Sequence, residues 1–482
     1  MLNAFFRDSA IYSFASLISK VFSVFLLPIY THVLSPNEFG AYDLLMTFGA
    51  LANIIIALEI SQGLARSLAD TSDAKERSIL ASTSLYFTIF MYLLFFLCSL
   101  LASEEINSFI LGDEKYLDSF RYFIFFISVN GIYTLVINQF RWELRSKDYA
   151  LMSILTVFLT LFLSIIFCLF FDLGLIGVIS AQISSLLIVS IFSFILLRDF
   201  FLWRFDSGKL IEMLSFSAPL VPAGLAVFIS LYISRIALNH YGSLNEVGIF
   251  GVSSRIAAYA GFLIIGIRVA LTPLIYKNYH DPNTNIKLSK LFSWFLVVAL
   301  IGCSFLNIFS RDLLMIIATP EYVDAYKTIG ILAIALIISQ MYIFSPGIAL
   351  AKKTLWQLSV SIMGAGVSIL LNFLLVPNFG VLGAALSNFI SSIAFLSFWI
   401  FLSQRLYRIP YQWKLIFIAS LIFIVHFLIN AFIDSVEMNF YVQKICKLIL
   451  FLTHSFFIFI CGLLSFEDRK IFFKLIKNFI GK

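Results

Sequence analysis

The chain has 482 residues, of which 61% are hydrophobic and only 12% are charged, and its mean hydropathy is +0.98. A composition this apolar excludes a soluble globular protein, because a water-facing surface needs more polar residues than the chain supplies. The formal net charge of +6 is spread over many loops, so we expect no nucleic-acid partner.

Long apolar runs follow one another along the whole chain, and each is close to the length that a helix needs to cross a bilayer. Runs this long and uniform fit helices and not the alternating strands of a barrel. The sequence therefore predicts an all-α integral membrane protein. It has about fourteen predicted spans, which are Ile11 to Tyr30, Ala41 to Ile60, Ile79 to Ala102, Phe120 to Gln139, Ala150 to Phe171, Leu173 to Leu197, Phe216 to Leu238, Val247 to Ile275, Leu291 to Phe309, Thr328 to Leu350, Trp356 to Val376, Gly380 to Leu402, Leu415 to Ala431 and Phe440 to Phe466.

The basic residues fall mainly in every second loop. The segment after span two, for example, carries Arg66, Lys75 and Arg77. The opposite loops carry few cations: Lys115, Arg311 and Lys327, with Lys444 and Lys447 just inside the last span. By the positive-inside rule, this alternation predicts that both termini are cytoplasmic. The N-terminus has no small-residue cleavage site, so we predict no cleaved signal peptide.

Two phrases recur at a nearly constant distance. His32–Gly40 returns as His240–Gly248, and Leu173–Gly177 returns as Phe379–Gly383, about 207 residues later in both cases. This spacing predicts two parallel six-span repeats that form facing bundles around a central cleft. The predicted divisions are an N-terminal bundle at 1–205, a C-terminal bundle at 206–404, and two further spans with a basic cytoplasmic tail at 405–482.

The first phrase also contains signals for the start of a helix. Ser35-Pro36-Asn37-Glu38 places a serine cap, a proline at the first helical position and a glutamate three residues after the cap. Ser243-Leu244-Asn245-Glu246 repeats the serine and the glutamate. Gly40 and Gly248 lie one turn further on, where the lack of a side chain lets another helix approach closely.

Several segments together resemble a known family. These are Leu34–Leu45, the proline-bearing start of span seven at Ser217–Pro222, and Val247–Phe250. In their order, and with the span count and the repeat, they look like the Wzx-type polysaccharide-biosynthesis flippases of the multidrug/oligosaccharidyl-lipid/polysaccharide exporter superfamily. The resemblance covers nearly the whole chain.

The resemblance implies a transporter and not an enzyme. It implies that an undecaprenyl-diphosphate-linked oligosaccharide, an O-antigen or capsule repeat unit, crosses from the cytoplasmic to the periplasmic leaflet of the bacterial inner membrane by alternating access. A proton or sodium gradient would drive transport, with no resident cofactor or metal. Besides membrane lipids, a polysaccharide polymerase and a chain-length regulator would be further partners.

Charges inside the spans are the candidate site residues, because a charge near the bilayer centre is costly unless it faces a partner or a water-filled cavity. Lys20 lies about 15 Å below the end of span one, and we expect it to line the cleft and bind the anionic substrate. A structural ion pair with Asp43, at similar depth in span two, is the alternative. Arg255 in span eight is a second candidate for binding the anion, against hydrogen bonding to backbone carbonyls.

Three more charged residues lie nearer the ends of the spans. Arg268 is deeper toward the cytoplasm on the helix of Arg255, and Glu59 holds nearly the same position in the first repeat. We predict that Glu59 and Arg268 form a gating ion pair between the halves, against both reaching the interface separately. Arg235 lies near the end of span seven. It either snorkels to the interface or binds the substrate in the outward vestibule.

Two rival functions must explain the same charges. A cation-coupled multidrug extruder would be expected to carry an acidic residue in its first span, where this chain has Lys20. A membrane-embedded polymerase or acyltransferase would need a large loop or a cluster of histidine and carboxylate groups, which His426 and His454 alone do not form. Lys20 therefore favours an anionic cargo.

Overall fold

A computed structural model gives the architecture. It describes residues 2–264, 267, 268, 271, 275, 281, 283–436, 438–464, 466, 469 and 470. The chain is 89% helical, and no strand occurs among these residues, so the predicted all-α membrane fold is confirmed. Most of the cytoplasmic end of predicted span eight and the basic tail after Lys470 lie outside the described residues.

The α-helices are numbered here along the described chain. They are α1 (Leu2–Val33), α2 (Pro36–Ile56), α3 (Ile60–Asp70), α4 (Ala74–Leu101), α5 (Ser103–Leu111), α6 (Leu117–Trp142), α7 (Ser146–Ser164), α8 (Gly174–Leu197), α9 (Ser207–Ser217), α10 (Val221–Tyr241), α11 (Leu244–Ala257), α12 (Thr284–Ile308), α13 (Ser310–Ile317), α14 (Tyr326–Gln340), α15 (Gly347–Leu350), α16 (Thr354–Leu406), α17 (Trp413–Ser435) and α18 (Phe440–Ile460).

Thirteen helical segments of the described chain are long and apolar enough to cross a membrane. One of them, α16, contains two of the predicted spans, and its backbone is not helical at Gly380, where φ is 52° and ψ is −129°. A kink at this residue divides α16 where the sequence predicts the boundary between spans eleven and twelve. The count of fourteen spans stays a prediction.

The described residues divide into two compact units. The first lies within Met1–Val252, Ile317–Tyr322 and Ser368–Ala384. In this unit α6 packs against α4 and α8, α7 packs against α1 and α8, and α10 packs against α2. The unit continues past the predicted boundary at residue 205 because α10 and the start of α11 pack with α2 and not apart from it.

The second unit lies within Ser253–Ile316, Val323–Val367 and Ala385–Lys482. Its centre is α12, which contacts α14, α17 and α18, and the last two helices also contact each other. Small buried residues line α12, among them Ser293, Ala299 and Cys303. Such residues allow close packing where lipid and protein are equally apolar and hydrophobicity alone cannot drive association.

The predicted helix starts are confirmed. At the beginning of α2 the Ser35 side chain accepts from the Glu38 backbone, and the Glu38 carboxylate accepts from the Ser35 backbone N–H at 3.0 Å. At the beginning of α11, the Glu246 backbone N–H donates to Ser243 Oγ at 3.3 Å. Both phrases therefore satisfy backbone donors that the first turn of a helix leaves without partners.

The two recurring glycines of the first phrase lie against each other. A Cβ added to Gly40 would overlap the carbonyl oxygen of Leu244, and one added to Gly248 would overlap the carbonyl oxygen of Pro36. Gly40 therefore contacts the start of α11, and Gly248 contacts the start of α2 in the same way. This reciprocal crossing confirms that the glycines permit close helix packing.

The second recurring phrase also has matching geometry in its two copies. Gly174 has φ of 51° and Gly380 has φ of 52°, both in the left-handed region that glycine adopts without steric cost. Each follows a helical segment and precedes another. Equivalent positions of a duplicated chain would have this property, although the duplication itself stays a prediction.

Candidate functional site

A buried ion pair joins α2 and α10 in the first unit. Arg235 Nε donates to Asp43 Oδ2 at 2.5 Å, and the two side chains are 15% and 5% exposed. Arg235 Nη1 also donates to the Leu231 carbonyl at 3.3 Å. The guanidinium carbon lies 5.4 Å from the ring centres of Tyr232 and Phe250. The Arg235 side chain therefore points into the protein. The structure does not show it snorkelling to the interface.

The backbone beside this pair is close to the carboxylate. A Cβ added to Gly251 in α11 would lie 3.0 Å from Asp43 Oδ2, so a larger residue there would press on the carboxylate. Thr47, one turn after Asp43, donates its hydroxyl to the Asp43 carbonyl at 2.8 Å. The pair is thus enclosed by aromatic rings and close-packed backbone, a setting of low polarity that strengthens its attraction.

A network of hydroxyl and amide groups lies next to the ion pair on α2. Gln182 of α8 donates to the Tyr42 hydroxyl at 2.7 Å and to the Tyr30 hydroxyl at 3.4 Å. The Tyr30 and Tyr42 rings meet edge to face, with centres 5.7 Å apart. This network fixes Tyr42, and therefore the turn of α2 that carries Asp43, against α1 and α8.

Lys20 is exposed on α1. Its backbone carbonyl accepts from Ser23 Oγ at 2.7 Å, and its ammonium makes no ion pair with any described residue. The alternative prediction, a structural pair of Lys20 with Asp43, is not observed, because Arg235 occupies the Asp43 carboxylate. The role of Lys20 in substrate binding stays a prediction.

The two other predicted cations belong to the second unit. Arg268 donates to Gln340 Oε1 and to the Tyr342 hydroxyl at 3.4 Å. Its guanidinium carbon also lies 5.9 Å from the Tyr342 ring centre, and that ring packs on Trp399 with centres 4.8 Å apart. Gln340 and Tyr342 therefore help to orient the Arg268 guanidinium. Arg255 is half-buried on α11.

Glu59 lies at a break that the sequence does not signal. The chain leaves α2 at Ile56 and begins α3 at Ile60, and between them Leu58 and Glu59 have φ of 48° and 54°. Non-glycine residues in this region carry a cost of order 1–3 kcal/mol and are found at functional and switching sites. Glu59 and Arg268 belong to different units, so their gating pair stays a prediction.

Burial raises the pKa of the Glu59 carboxyl above its ordinary value because the charged form loses hydration. The folded protein then binds this proton more tightly than the unfolded chain does, so stability falls as pH rises through the raised pKa. We expect Glu59→Gln to increase the melting temperature at pH 8 and to gain less at pH 5. Thermal unfolding of purified protein at both pH values measures this, with exposed Glu105→Gln as the unaffected control. A lower melting temperature of Glu59→Gln at pH 8 would contradict the account.

Several ion pairs are not predicted from the sequence, and two of them join neighbouring helices. Arg77 Nη2 donates to Glu143 at 3.0 Å, and Gln139 donates to the same oxygen at 3.0 Å, which ties α4 to the end of α6. Lys447 of α18 lies 2.7 Å from Asp434 of α17, and both are almost fully buried. The signal in the sequence is weak, because the position of a cation along the chain indicates its side of the membrane and not its partner.

The comparisons with known proteins agree on the type of molecule. Residues 5–279 match the family model described as polysaccharide biosynthesis protein. An uncharacterized membrane protein of Methanocaldococcus jannaschii, MJ1068, is 19% identical over 376 residues, which are 74% of this chain and 73% of the relative.

Two solved structures have a similar fold. The lipid II flippase MurJ, in an inward closed conformation, superposes with a TM-score of 0.71 and 14% identity over 93% of this chain and 99% of its own. A multidrug resistance MATE family transporter of the MOP superfamily, in an inward-facing conformation, superposes with a TM-score of 0.64 and 17% identity over 83% and 95% of the two chains. At sequence identities this low, the structural similarity shows that the fold is shared and does not show that the function is shared.

Proposed function

The chain belongs to the polysaccharide biosynthesis protein family, and we propose that it carries an undecaprenyl-diphosphate-linked oligosaccharide across the bacterial inner membrane. The cargo would be an O-antigen or capsule repeat unit that moves from the cytoplasmic to the periplasmic leaflet. Both termini are cytoplasmic in this proposal, as the distribution of cations predicts. The proposal is supported by the family and by the fold, which are those of multi-pass membrane transporters of the MOP superfamily.

The observation that carries the proposal is the guanidinium of Arg235 inside an apolar helix pair. Its Nε binds Asp43 and its Nη1 binds a backbone carbonyl, while Nη2 makes no hydrogen bond to a described residue. A diphosphate entering hydrocarbon must replace the water that it loses, and arginine offers planar paired donors for this purpose. Lys20 in the same unit supplies a second, uncompensated cation.

Asp43 gives the site a way to couple transport to an ion. In our proposal the diphosphate displaces the Asp43 carboxylate from Arg235 when the substrate binds. Without the Arg235 charge beside it, the Asp43 carboxylate is more costly as an anion in an apolar span, so it takes up a proton or a sodium ion. An inwardly directed gradient drives this outward transport when the ion enters from the periplasmic side and is released to the cytoplasm after the substrate has left, as Arg235 returns to Asp43.

Arg255 and Arg268 of the second unit are proposed to bind the same headgroup. Arg268 is suited to this because Gln340 and Tyr342 orient its guanidinium. Glu59 is proposed to hold Arg268 when the substrate is absent, as a gate on the cytoplasmic side. The lipid tail remains in the bilayer while the headgroup passes along the basic side chains.

Deleting the gene in a strain that makes the polysaccharide tests the proposal. We expect lipid-linked oligosaccharide to accumulate inside the cell and surface polysaccharide to disappear, with rescue by the wild-type chain. Lys20→Ala and Arg255→Ala, at matched expression, are expected to rescue poorly because each removes a cation that binds the diphosphate. If deletion leaves both pools unchanged, the proposed cargo is wrong.

A multidrug extruder is the second candidate, because a MATE transporter shares the fold. Such a protein would bind cationic drugs through an acidic residue, whereas α1 carries Lys20 and the nearby Asp43 is already paired with Arg235. Drug sensitivity of the same deletion strain separates the two functions. Unchanged polysaccharide together with increased drug sensitivity would favour export of drugs.

A further inference from the structure

A polar cavity of about 290 Å³ lies in the second unit, where α13 meets the end of α17 and the beginning of α18. Three cations line it, Arg311, Lys444 and Lys447, together with two carboxylates, Asp312 and Asp434. On the predicted topology it opens to the extracytoplasmic side. None of these residues belongs to the proposed transport site.

The cations of the cavity are not equally compensated. Lys447, whose side chain is 2% exposed, lies 2.7 Å from Asp434, and Lys444 pairs with Asp312. These two pairs use both carboxylates of the cavity. Arg311 has no carboxylate within ion-pair distance among the described residues, so the three cations and two carboxylates of the lining leave a formal excess of one positive charge.

Arg311 also has an unused buried donor. Its Nε is buried and makes no hydrogen bond to a described residue, and its guanidinium carbon lies 5.9 Å from the Tyr326 ring centre. A buried donor without an acceptor is unfavourable and rare in folded proteins. An incoming oxygen acceptor would therefore satisfy Nε and neutralise the excess charge at once.

We propose that this cavity is a binding site for an oxyanion, a carboxylate or a phosphate, held by Arg311 and supported by Lys444. Guanidinium groups bind such anions through two parallel hydrogen bonds. The volume is near the lower end of small-ligand pockets, about 300–1,000 Å³, so it accommodates an anionic group on a sugar-sized molecule or a lipid headgroup. The site is separate from the transport site, and its test does not depend on the proposed cargo.

The test measures thermal unfolding of the full chain in nanodiscs made of zwitterionic phosphatidylcholine. One arm adds inorganic phosphate or glucuronate to the solution, and the other replaces part of the lipid with phosphatidylglycerol. We expect a saturable rise in melting temperature in at least one arm, and the responding arm identifies whether the oxyanion comes from a soluble molecule or from a lipid. No rise in either arm would overturn the proposal.

Variants of Arg311 make the test specific. Arg311→Gln is expected to weaken the response by about tenfold or more, because a charge-assisted hydrogen bond is lost. Arg311→Lys, which keeps the charge but not the paired donors, should also weaken it and serves if the glutamine variant does not fold. Lys327→Gln removes an exposed cation paired with Asp324 and should respond like the wild type. An unchanged response in the Arg311 variants would overturn the proposal.

Discussion

Neutralising both Arg235 and Asp43 is expected to give a folded protein that no longer transports, whereas neutralising either one alone is expected to destabilise it. Removing one partner breaks an ion pair in an apolar setting, and breaking such a buried pair costs about 3–5 kcal/mol. The double variant Arg235→Gln/Asp43→Asn removes both charges while keeping nearly the same volume, so its stability should approach that of the wild type. Melting temperature and monodispersity in detergent measure this difference.

Transport separates the role of Arg235 from its contribution to stability. If Arg235 binds the diphosphate, the folded double variant should transport about tenfold to a hundredfold more slowly, as expected for losing a charge-assisted interaction. The exposed pair of Arg198 and Asp199, 78% and 86% exposed, gives a matched control. Arg198→Gln/Asp199→Asn should leave stability and transport unchanged. Wild-type transport by the Arg235→Gln/Asp43→Asn protein would show that Arg235 does not bind the cargo.

Alanine at Gly40 or Gly248 is expected to destabilise the protein by about 1–3 kcal/mol or more. The atoms that a new Cβ would overlap are backbone carbonyl oxygens of Leu244 and Pro36, which cannot rotate away as a side chain can. Relief would require α2 and α11 to move apart. Thermal unfolding and the yield of monodisperse protein measure the loss.

The same substitution has the opposite expected effect at Gly366. No atom lies within 4 Å of a Cβ added there, and alanine stabilises a helix interior by roughly 0.5–1 kcal/mol relative to glycine. Gly366→Ala should therefore be as stable as the wild type or slightly more stable. Equal melting temperatures for Gly40→Ala and the wild type would show that the crossing of α2 and α11 is looser than described.

The sequence predicts the helices well, because their signals are local. Apolar length defines the spans, and the serine and glutamate of the recurring phrase define where α2 and α11 begin. Gly40 and Gly248 are also recognisable as close-packing positions. That they contact each other, and not some third helix, depends on which helices are neighbours, and the spacing of residues within a span contains no such information.

The ion pair of the candidate site also depends on which helices are neighbours, and the sequence does not give this. Depth along a span places Lys20 and Asp43 at similar levels, so the sequence allows them to pair, yet Arg235 of α10 reaches Asp43 instead. The break at Leu58 and Glu59 is not predicted from the sequence for a different reason. Neither glycine nor proline marks this break, so the apolar pattern predicts a span that continues through Ile60, whereas α2 ends at Ile56.

In the proposed function the protein moves a lipid diphosphate-linked glycan between leaflets. The most direct test of this function reconstitutes the purified chain in liposomes that contain undecaprenyl-diphosphate-linked oligosaccharide on both leaflets and then adds a membrane-impermeant glycosidase. We predict that the wild type renders the inner-leaflet glycan accessible and that Arg235→Gln/Asp43→Asn leaves most of it protected. The same protected fraction with and without wild-type protein would contradict the claim.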